Sequence, residues 1–335
     1  MNIHDIAALC EVSVATVSRV INGNSNVNEK TREKVLRVMQ EADFVPNAFA
    51  GGIGRNAMKI VGIMCTDVAN LYYASTVSLL ENNLRLNGFD VLLCCTGTNI
   101  NDKKEYLASL IQKRVDAVIL VGSAYREERD NTYIREAAQQ TPLFMINAYV
   151  QIPNVFCVFC DEKEAMYNST RQMADAGFRD ILYLHDMDKW AWAGSQKLAG
   201  YREGLEDSGI PENPDMIQVV ENGILPARDR VASLLSQGAH ITGILASEDL
   251  LAVGAQKAIL EQKKDIPIIG FNNSQFALCC TPLLSSVDNM MDTICPMVVN
   301  MLIRLFSGEK ISPKVAVSAT LVERETFRLQ RLNKA

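Results

Sequence analysis

The chain has 335 residues, of which 48% are hydrophobic and 21% charged, so extensive disorder is excluded and two or three domains are expected. The net charge of −6 gives no general basic field for nucleic acid, and no apolar run reaches the roughly 20 residues of a membrane span. The N-terminus lacks a secretory signal, and nine cysteines in no regular framework are typical of reduced thiols. We therefore expect a cytoplasmic protein with no membrane partner.

Three short helices are predicted in the first sixty residues, the second over residues 14–21 and the third over residues 29–42. Each follows a residue suited to an N-cap, namely Asn2, Ser13 and Asn28. The predicted apolar faces comprise Ile3, Ile6, Ala7 and Cys10 in the first helix, Val17, Val20 and Ile21 in the second, and Val35, Leu36 and Met39 in the third. Two short helices joined by a tight turn and braced by a third form a helix-turn-helix.

The outward face of the second helix carries small and polar residues that suit a DNA groove. Arg19 can bond guanine O6 and N7, Val14 and Ala15 can meet thymine methyl groups, and hydroxyls and amides can hold phosphates. The candidate DNA-binding residues here are Ser13, Val14, Ala15, Thr16, Ser18, Arg19, Asn22, Asn28 and Thr31. A solvated helical bundle fits the same pattern, and residues 1–56 hold six basic and six acidic residues. The pattern alone leaves both interpretations open.

The segments IHDIAALCEVSVATVSRVING and VNEKTREKVLRVMQEADFVPNAFA resemble the headpiece of the LacI/GalR family of bacterial transcription regulators. A looser resemblance continues to the C-terminus. It implies a sequence-specific DNA-binding regulator, most often a repressor, that is controlled by a small-molecule effector. One headpiece reads few base pairs, so we expect a homodimer on a palindromic double-stranded operator. No heptad tail follows the last strand-like runs, KVAVSAT and LVERETF, so a dimer is favoured over a tetramer.

The resemblance also implies a hinge helix at residues 46–54 that folds on the operator. Its apolar wedge, a leucine in the family, would here be Ile53, which we add to the DNA-binding candidates. Gly51 and Gly52 each cost a helix about 1 kcal/mol relative to alanine, so a flexible linker stays open as the alternative.

From Lys59 onward, apolar strand-like runs alternate with amphipathic helices. The runs are KIVGIMC, FDVLLCC, DAVILVG, PLFMIN, VFCVFC, DILYLHD, ITGILAS and IPIIGF, and the helical segments lie around residues 72–87, 102–113, 162–176, 195–208, 227–237 and 249–262. Near-continuous Val/Ile/Leu strands between helices predict parallel sheets covered on both faces, and the series is too long for one sheet.

The resemblance assigns residues 1–57 to the all-α headpiece and residues 58–335 to a bilobal α/β body like the periplasmic binding proteins, with two doubly wound parallel sheets. The N-subdomain would span about 58–158 and 290–320, and the C-subdomain about 159–289 and 321–335. Effector binding and dimerisation are expected in this body.

Nothing in the sequence indicates an enzyme, a metal or a cofactor. No GxGxxG, P-loop, GxSxG or HExxH motif is present, and the three histidines are far apart. Cys157 and Cys160 have CxxC spacing but lie in an apolar run where they would face opposite ways, so we interpret them as core thiols, as we do the pairs at 94–95 and 279–280. A solute-binding or sugar-processing protein with the same body is the alternative, disfavoured by the missing signal and by the headpiece.

Polar and aromatic residues follow the carboxyl ends of the predicted strands, where doubly wound sheets bind ligands. The candidate effector-binding residues are Asp67, Tyr72, Tyr73, Asn147, Asp161, Trp192, Lys197, Glu248 and Asn272. The resemblance implies a ligand-stacking ring at Tyr73 and ligand-facing groups at Asn147 and Asp161. Partial core burial of Trp192 and packing of the two tyrosines at a helix start are the alternatives.

Three candidates depart from the family pattern. Lys197 stands where the family has arginine, Glu248 where it has asparagine, and Asn272 where it has aspartate. Lysine is a point charge and arginine a planar fork, so the first exchange changes the chemistry. Lys197 could pair with Glu248, or hold a carboxylate or phosphate of the ligand. We expect an acidic or modified sugar rather than a plain neutral one.

Overall fold

The computed structural model describes residues 3–21, 27–41, 58–186 and 192–328. The chain separates into two compact units, residues 1–60 and residues 61–335. Asn2, Asn22 and the predicted hinge with Ile53 lie outside the described residues, so the expectations for them stay predictions.

The first unit contains α1 (Ile3–Leu9), α2 (Val14–Ile21) and α3 (Glu29–Glu41). Two of the predicted N-caps are confirmed. The Ser13 hydroxyl accepts the Thr16 N–H at 3.1 Å, and the Asn28 amide oxygen accepts the Lys30 N–H at 3.0 Å. These bonds satisfy N–H groups that the first helical turn leaves free.

The core of this unit is small and lies between the three helices. Its buried members are Ile6, Ala7, Cys10, Val17, Val20 and Val35. The prediction for Leu36 is wrong, since 49% of this residue is exposed and Val38 packs against the core instead. The reason is helical spacing, because Val35, Val38 and Met39 share one face and residue 36 is turned by about 100°. Val14 also packs against the core, half-buried, so only part of it is available outward.

The second unit is built from twelve strands and nine helices in its described part. The strands are β1 (Ile60–Cys65), β2 (Asp90–Cys95), β3 (Ala117–Val121), β4 (Leu143–Ile146), β5 (Val155–Cys160), β6 (Ile181–Asp186), β7 (Ile217–Val220), β8 (Gly243–Ala246), β9 (Ile268–Phe271), β10 (Ser285–Asp288), β11 (Lys314–Val317) and β12 (Thr320–Val322). The helices are α4 (Leu71–Leu86), α5 (Ile100–Gln112), α6 (Thr132–Ala138), α7 (Glu162–Asp175), α8 (Trp192–Asp207), α9 (Ile224–Ser236), α10 (Asp249–Glu261), α11 (Phe276–Cys279) and α12 (Met291–Phe306).

The strands form two six-stranded sheets, in the orders β11-β5-β4-β3-β1-β2 and β12-β10-β9-β8-β6-β7. The recorded pairs are parallel except β10 with β12, where Val287 faces Leu321 in antiparallel register. The predicted class is confirmed, a helical helix-turn-helix unit plus a bilobal α/β body with two mostly parallel sheets. The chain passes from one sheet to the other after β5, after β10 and between β11 and β12.

Helices cover each sheet, and buried apolar side chains fill the space between them. In the first sheet, Val61, Ile119 and Phe144 lie with Leu80 of α4 and Val298 of α12. In the second sheet, the strands pack against α9 and α10 on one face and against α7 and α8 on the other. Long apolar strands between two helical layers explain the near-continuous hydrophobic runs in the sequence.

Cys157 and Cys160 are buried free thiols, as predicted, and burial raises the pKa of Cys157. Cys95 and Cys279 are exposed, so the prediction of core thiols is wrong at these two positions. Among the helices in the described part of the chain, none combines the length and apolar character that crossing a bilayer requires.

Candidate functional site

Helix α2 presents a polar face away from the core of its unit. Ala15 and Arg19 are exposed, while Val17 and Val20 of the same helix are buried. Within the described residues, no ion pair involves Arg19.

The other DNA-binding candidates surround this face unevenly. The Ser13 hydroxyl lies 2.9 Å from that of Thr16, so each can hold the other in place. Asn28 is exposed and caps α3, while Thr31 is half-buried on that helix. Ser18 lies on α2. A DNA-binding role for these residues stays a prediction.

In the second unit, a cavity of about 220 Å³ lies between the carboxyl ends of the two sheets. Polar residues just beyond strands of both sheets form its wall, as expected for doubly wound folds. Its described lining is Thr66, Asn70, Tyr72, Tyr73, Thr98, Gly122, Ser123, Ala124, Asn147, Glu162, His185, Asp186, Ala193, Gly194, Lys197, Asn222, Ser247, Glu248 and Asn272. Six of the nine candidate effector-binding residues are in it: Tyr72, Tyr73, Asn147, Lys197, Glu248 and Asn272.

The other three candidates do not lie on the described wall. The Asp161 carboxylate caps α7 by accepting the Glu164 N–H at 3.1 Å, and the Asp67 carboxylate accepts the Ala69 N–H at 2.8 Å. The Trp192 ring meets Phe159 edge-on, with 5.1 Å between ring centroids. This contact corresponds to the partial burial that the sequence had left open.

The two tyrosines begin α4 and meet edge-to-face, with centroids 5.0 Å apart. Gly122 has a φ of +96°, and a Cβ there would lie 2.7 Å from the Tyr73 ring. Glycine tolerates this positive φ, and because it has no side chain it leaves room for the Tyr73 ring. The Tyr72 hydroxyl is buried beside the side chain of Asn147. Burial, followed by the neighbouring Tyr73 and Glu162, raises the pKa of Tyr72.

Lys197 is buried in the wall and held by three contacts. Its ammonium donates to the Ser247 carbonyl at 3.1 Å, lies 3.7 Å from the Glu162 carboxylate and stands 4.1 Å from the centroid of the Phe271 ring. The predicted ion pair of Lys197 with Glu248 is therefore wrong, because the carboxylate partner is Glu162. Burial raises the pKa of Glu162, and Lys197 opposes that rise.

Close packing of α7 and α8 brings Lys197 to Glu162. A Cβ at Gly200 would overlap the Lys163 carbonyl oxygen, and one at Gly204 would lie 2.7 Å from the Thr170 side chain. The two glycines, one turn apart, let the helix backbones approach. Lys197 lies on the same face one turn earlier, so this approach sets where its ammonium ends.

Two further carboxylates, Asp186 and Glu248, share one partner. The Asn222 side-chain nitrogen donates to both, at 3.2 Å each. Burial, followed by the nearby Asp186, raises the pKa of Glu248. The described wall thus carries three carboxylates against one ammonium, and that ammonium is already engaged. This balance does not support the acidic effector expected from Lys197 alone.

A second cavity, of about 310 Å³, shares Asn70, Tyr72, Glu248 and Asn272 with the first. Asp249 lines it but has its own partners: it accepts from the Ser274 N–H at 2.6 Å, the Ser274 hydroxyl at 2.8 Å and the Ser286 hydroxyl at 2.5 Å. Burial raises the pKa of Asp249 to about 6. These bonds join α10 to the loop after β9 and to β10.

Sequence reasoning missed Glu162 and Asn222 as wall residues. Glu162 follows Asp161 directly, and Asp161 caps a helix whose first residue, Glu162, turns its side chain inward. Asn222 follows β7, a four-residue strand too short and mixed to be recognised. A search for polar residues after every short strand would have found it.

Comparison with known proteins decides the family. Residues 2–47 match the model "Bacterial regulatory proteins, lacI family", and residues 58–279 match "Periplasmic binding proteins and sugar binding domain of LacI family". The chain belongs to the LacI family. An HTH-type transcriptional regulator of Lachnoclostridium phytofermentans is 42% identical, over 97% of this chain and 99% of its own. Family membership confirms a DNA-binding transcriptional regulator rather than an enzyme, against the alternative of a solute-binding or sugar-processing protein.

Solved structures show the same fold. A Lac repressor dimer bound to operator and the anti-inducer ONPF has a TM-score of 0.84 at 22% identity, over 97% of this chain and 98% of that one. A complex of the transcriptional regulator CelR with cellobiose has a TM-score of 0.70 at 23% identity, over 98% and 100%.

Proposed function

We propose that this LacI-family regulator is a homodimeric repressor that binds a palindromic operator and is controlled by a sugar in the cavity between its two sheets. In this proposal residues 1–57 read the DNA, and residues 58–335 bind the effector and dimerise. The observation that carries it is that residues from both sheets form the cavity wall. Tyr73 and Asn147 follow strands of the first sheet, and Glu248 follows one of the second. A ligand touching both sheets favours one relative orientation of them.

The DNA-binding part of the proposal rests on α2. Its core side is occupied by Val17 and Val20, so Ala15 and Arg19 are left to meet base edges and phosphates. A helix of eight residues reads few base pairs, which is why two copies and a palindrome are needed. The operator is in the cytoplasm, and we place the protein there.

A dimer is also supported by the surface of the first sheet. Strand β2 is the last strand of that sheet, and Leu93 on it is 45% exposed. Leu86, at the end of the neighbouring α4, is 72% exposed. Apolar groups beside an open strand edge are typical of surfaces that are covered in the working assembly.

The effector is proposed to be a sugar because the wall offers many hydrogen-bonding groups beside aromatic rings. Amides at Asn70, Asn147 and Asn272 and the hydroxyl of Ser123 can meet sugar hydroxyls, and Tyr73 can cover a ring face. A regulator of similar fold has been solved with cellobiose, which is a hydroxyl-rich ligand of this kind.

The experiment begins with the full-length protein selecting its operator from random double-stranded DNA. Enrichment of a palindrome is expected. Arg19→Ala should then weaken binding to that operator by about 1–3 kcal/mol, the scale of one good base contact, and leave binding to random DNA much less affected. Fluorescence anisotropy at fixed salt measures both affinities, since salt changes them strongly.

Arg37→Ala is the matched control, because it removes one exposed positive charge from the same unit but not from α2. It should weaken operator and random DNA by equal factors. If Arg19→Ala also weakened operator and random DNA by equal factors, a base contact by Arg19 would be contradicted. A sugar screen by thermal shift, repeated on the operator complex, tests control by an effector. A protein whose operator binding no sugar alters would contradict that part.

A further inference from the structure

The cavity wall is electrostatically unbalanced in a way that a neutral sugar would not correct. Glu162, Asp186 and Glu248 line it, and Lys197 is the only lysine or arginine on the described wall. Lys197 already contacts Glu162, the Ser247 carbonyl and the Phe271 ring. Among the described residues, neither Asp186 nor Glu248 forms an ion pair, and Lys197 acts on Glu248 only from beyond ion-pair distance.

Asn222 does not remove this imbalance. Its side-chain nitrogen donates to Asp186 and to Glu248, each at 3.2 Å, and an amide has two N–H groups to give. Both are used, yet the amide is neutral. One nitrogen bonded to both carboxylates also holds two like charges near each other, which is unfavourable unless a positive charge joins them.

Two buried polar atoms of the same wall have no partner in the described structure. They are Oε2 of Glu162, a residue only 3% exposed, and the hydroxyl of Ser247, 4% exposed. Buried polar atoms are almost always hydrogen-bonded in folded proteins. Because both residues line the cavity, these atoms indicate a hydrogen-bonding ligand that completes the wall.

Three classes of ligand can be compared for this wall: an anionic sugar, a metal ion and a protonated amine. An anionic sugar would add negative charge to a wall that already has an excess. A metal ion is not favoured, because the described residues contain no group of three or more His, Cys, Asp or Glu side chains that could hold one. A protonated amine fits, because it brings a positive charge and up to three N–H donors to two carboxylates.

We propose that the effector is an amino sugar whose ammonium group binds between Asp186 and Glu248. This inference rests on the proposed function, since it names the ligand of the same cavity. The remaining hydroxyls would meet the amides of Asn70, Asn147 and Asn272 and the free Ser247 hydroxyl.

The test uses the full-length protein and three matched series: glucose, galactose and mannose, their 2-amino forms, and their uronic acids. Calorimetry at one pH and salt concentration gives each affinity. At least one amino sugar should bind about tenfold or more tightly than its parent hexose, the scale of a charge-assisted hydrogen bond. The corresponding uronic acid should bind more weakly than the hexose.

Glu248→Gln and Asp186→Asn keep the size of each side chain and remove its charge. Each should reduce the preference for the amine, measured as the ratio of its affinity to that of the parent hexose, to about threefold or less. Glu261→Gln, an exposed position at the other end of α10, is the matched control and should leave the preference unchanged. If a variant fails to fold, the wild-type series alone still decides the question.

The inference is overturned if no amino sugar binds, or if every amino sugar binds no more tightly than its parent hexose or its uronic acid. Operator binding is measured on the same preparations. If it is intact and a neutral sugar alters it while no amino sugar binds more tightly, the amino-sugar inference fails and the proposed function stands. If it is absent, the proposed function itself fails.

Discussion

The helix-turn-helix unit and the cavity of the body place their working groups in opposite environments. In the first, Arg19 is exposed and Val17 beneath it is buried, so the group that acts and the group that supports are different residues. In the cavity, Lys197 is only 7% exposed and Glu162 3%, and their contact also joins α8 to α7. Binding and folding should therefore be separable by mutation in the first region and coupled in the second.

The largest effect is expected where the scaffold of the cavity is tightest. Gly200→Ala places a methyl group where the Lys163 carbonyl oxygen lies, so α7 and α8 must move apart. We expect a loss of about 3 kcal/mol in the free energy of unfolding, at the upper end for overpacking, together with weaker effector binding. Denaturant titration measures the first and calorimetry the second. Arg202→Ala, in an exposed ion pair on the same helix, should cost less than about 1 kcal/mol.

A pH titration tests whether buried carboxyls cost the body stability. Asp249 has an ordinary pKa of 3.8, and burial raises its pKa to about 6 in the folded protein. The folded state therefore binds the Asp249 proton more tightly than the unfolded state does, and this protonation stabilises the fold. The stabilisation is full below pH 3.8 and is lost as the pH rises through about 6. The change is on the order of 3 kcal/mol. Asp249→Asn should remove this slope in unfolding measured from pH 3.5 to 7.5. An unchanged slope would contradict the assignment.

The helix-turn-helix unit allows the complementary experiment. Val17→Ala removes two buried methyl groups and should lower the free energy of unfolding of this unit by about 2 kcal/mol. Leu36→Ala, at a site 49% exposed, should change it by less than about 0.5 kcal/mol. Circular dichroism during thermal unfolding measures both. A large effect of Leu36→Ala would mean that α3 turns its other face to the core.

The smallest expected effect has the opposite sign. Glu248→Gln removes the repulsion between residue 248 and Asp186, while its side-chain oxygen can still accept from Asn222. The protein without effector should gain about 1 kcal/mol of stability. Differential scanning calorimetry against Glu261→Gln measures the gain. A loss of stability would show that the Glu248 charge is compensated after all.

The same contrast explains what the sequence could predict. The N-caps Ser13 and Asn28 act on N–H groups two or three residues away, so local reading found them. The eight apolar runs were likewise recognised from local sequence, and all eight are strands in the structure. Helix α12, with Pro296 inside it, was missed, and so was β7 with four residues. Their formation depends on packing and pairing with distant parts of the chain rather than on local pattern.

The cavity was half predictable. The rule that ligands bind at carboxyl ends of strands brought Tyr73, Asn147 and Glu248 to the wall. It could not tell Asp161 from Glu162, because the turn of one helix decides which of two neighbours faces inward. Nor could it pair Lys197 correctly, since the glycines that set the distance between α7 and α8 act in three dimensions.

The chain crosses between the two sheets three times, and this allows even a weakly binding effector to act. Covalent connections already keep the sheets together, so a ligand need not collect two independent bodies from solution. Its contacts with the second sheet form at the high effective concentration that the tethers impose. What the ligand selects is an angle between tethered halves, and a modest difference in affinity between two angles suffices to change their populations. A metabolite that binds only at millimolar concentration could thus still act as the effector.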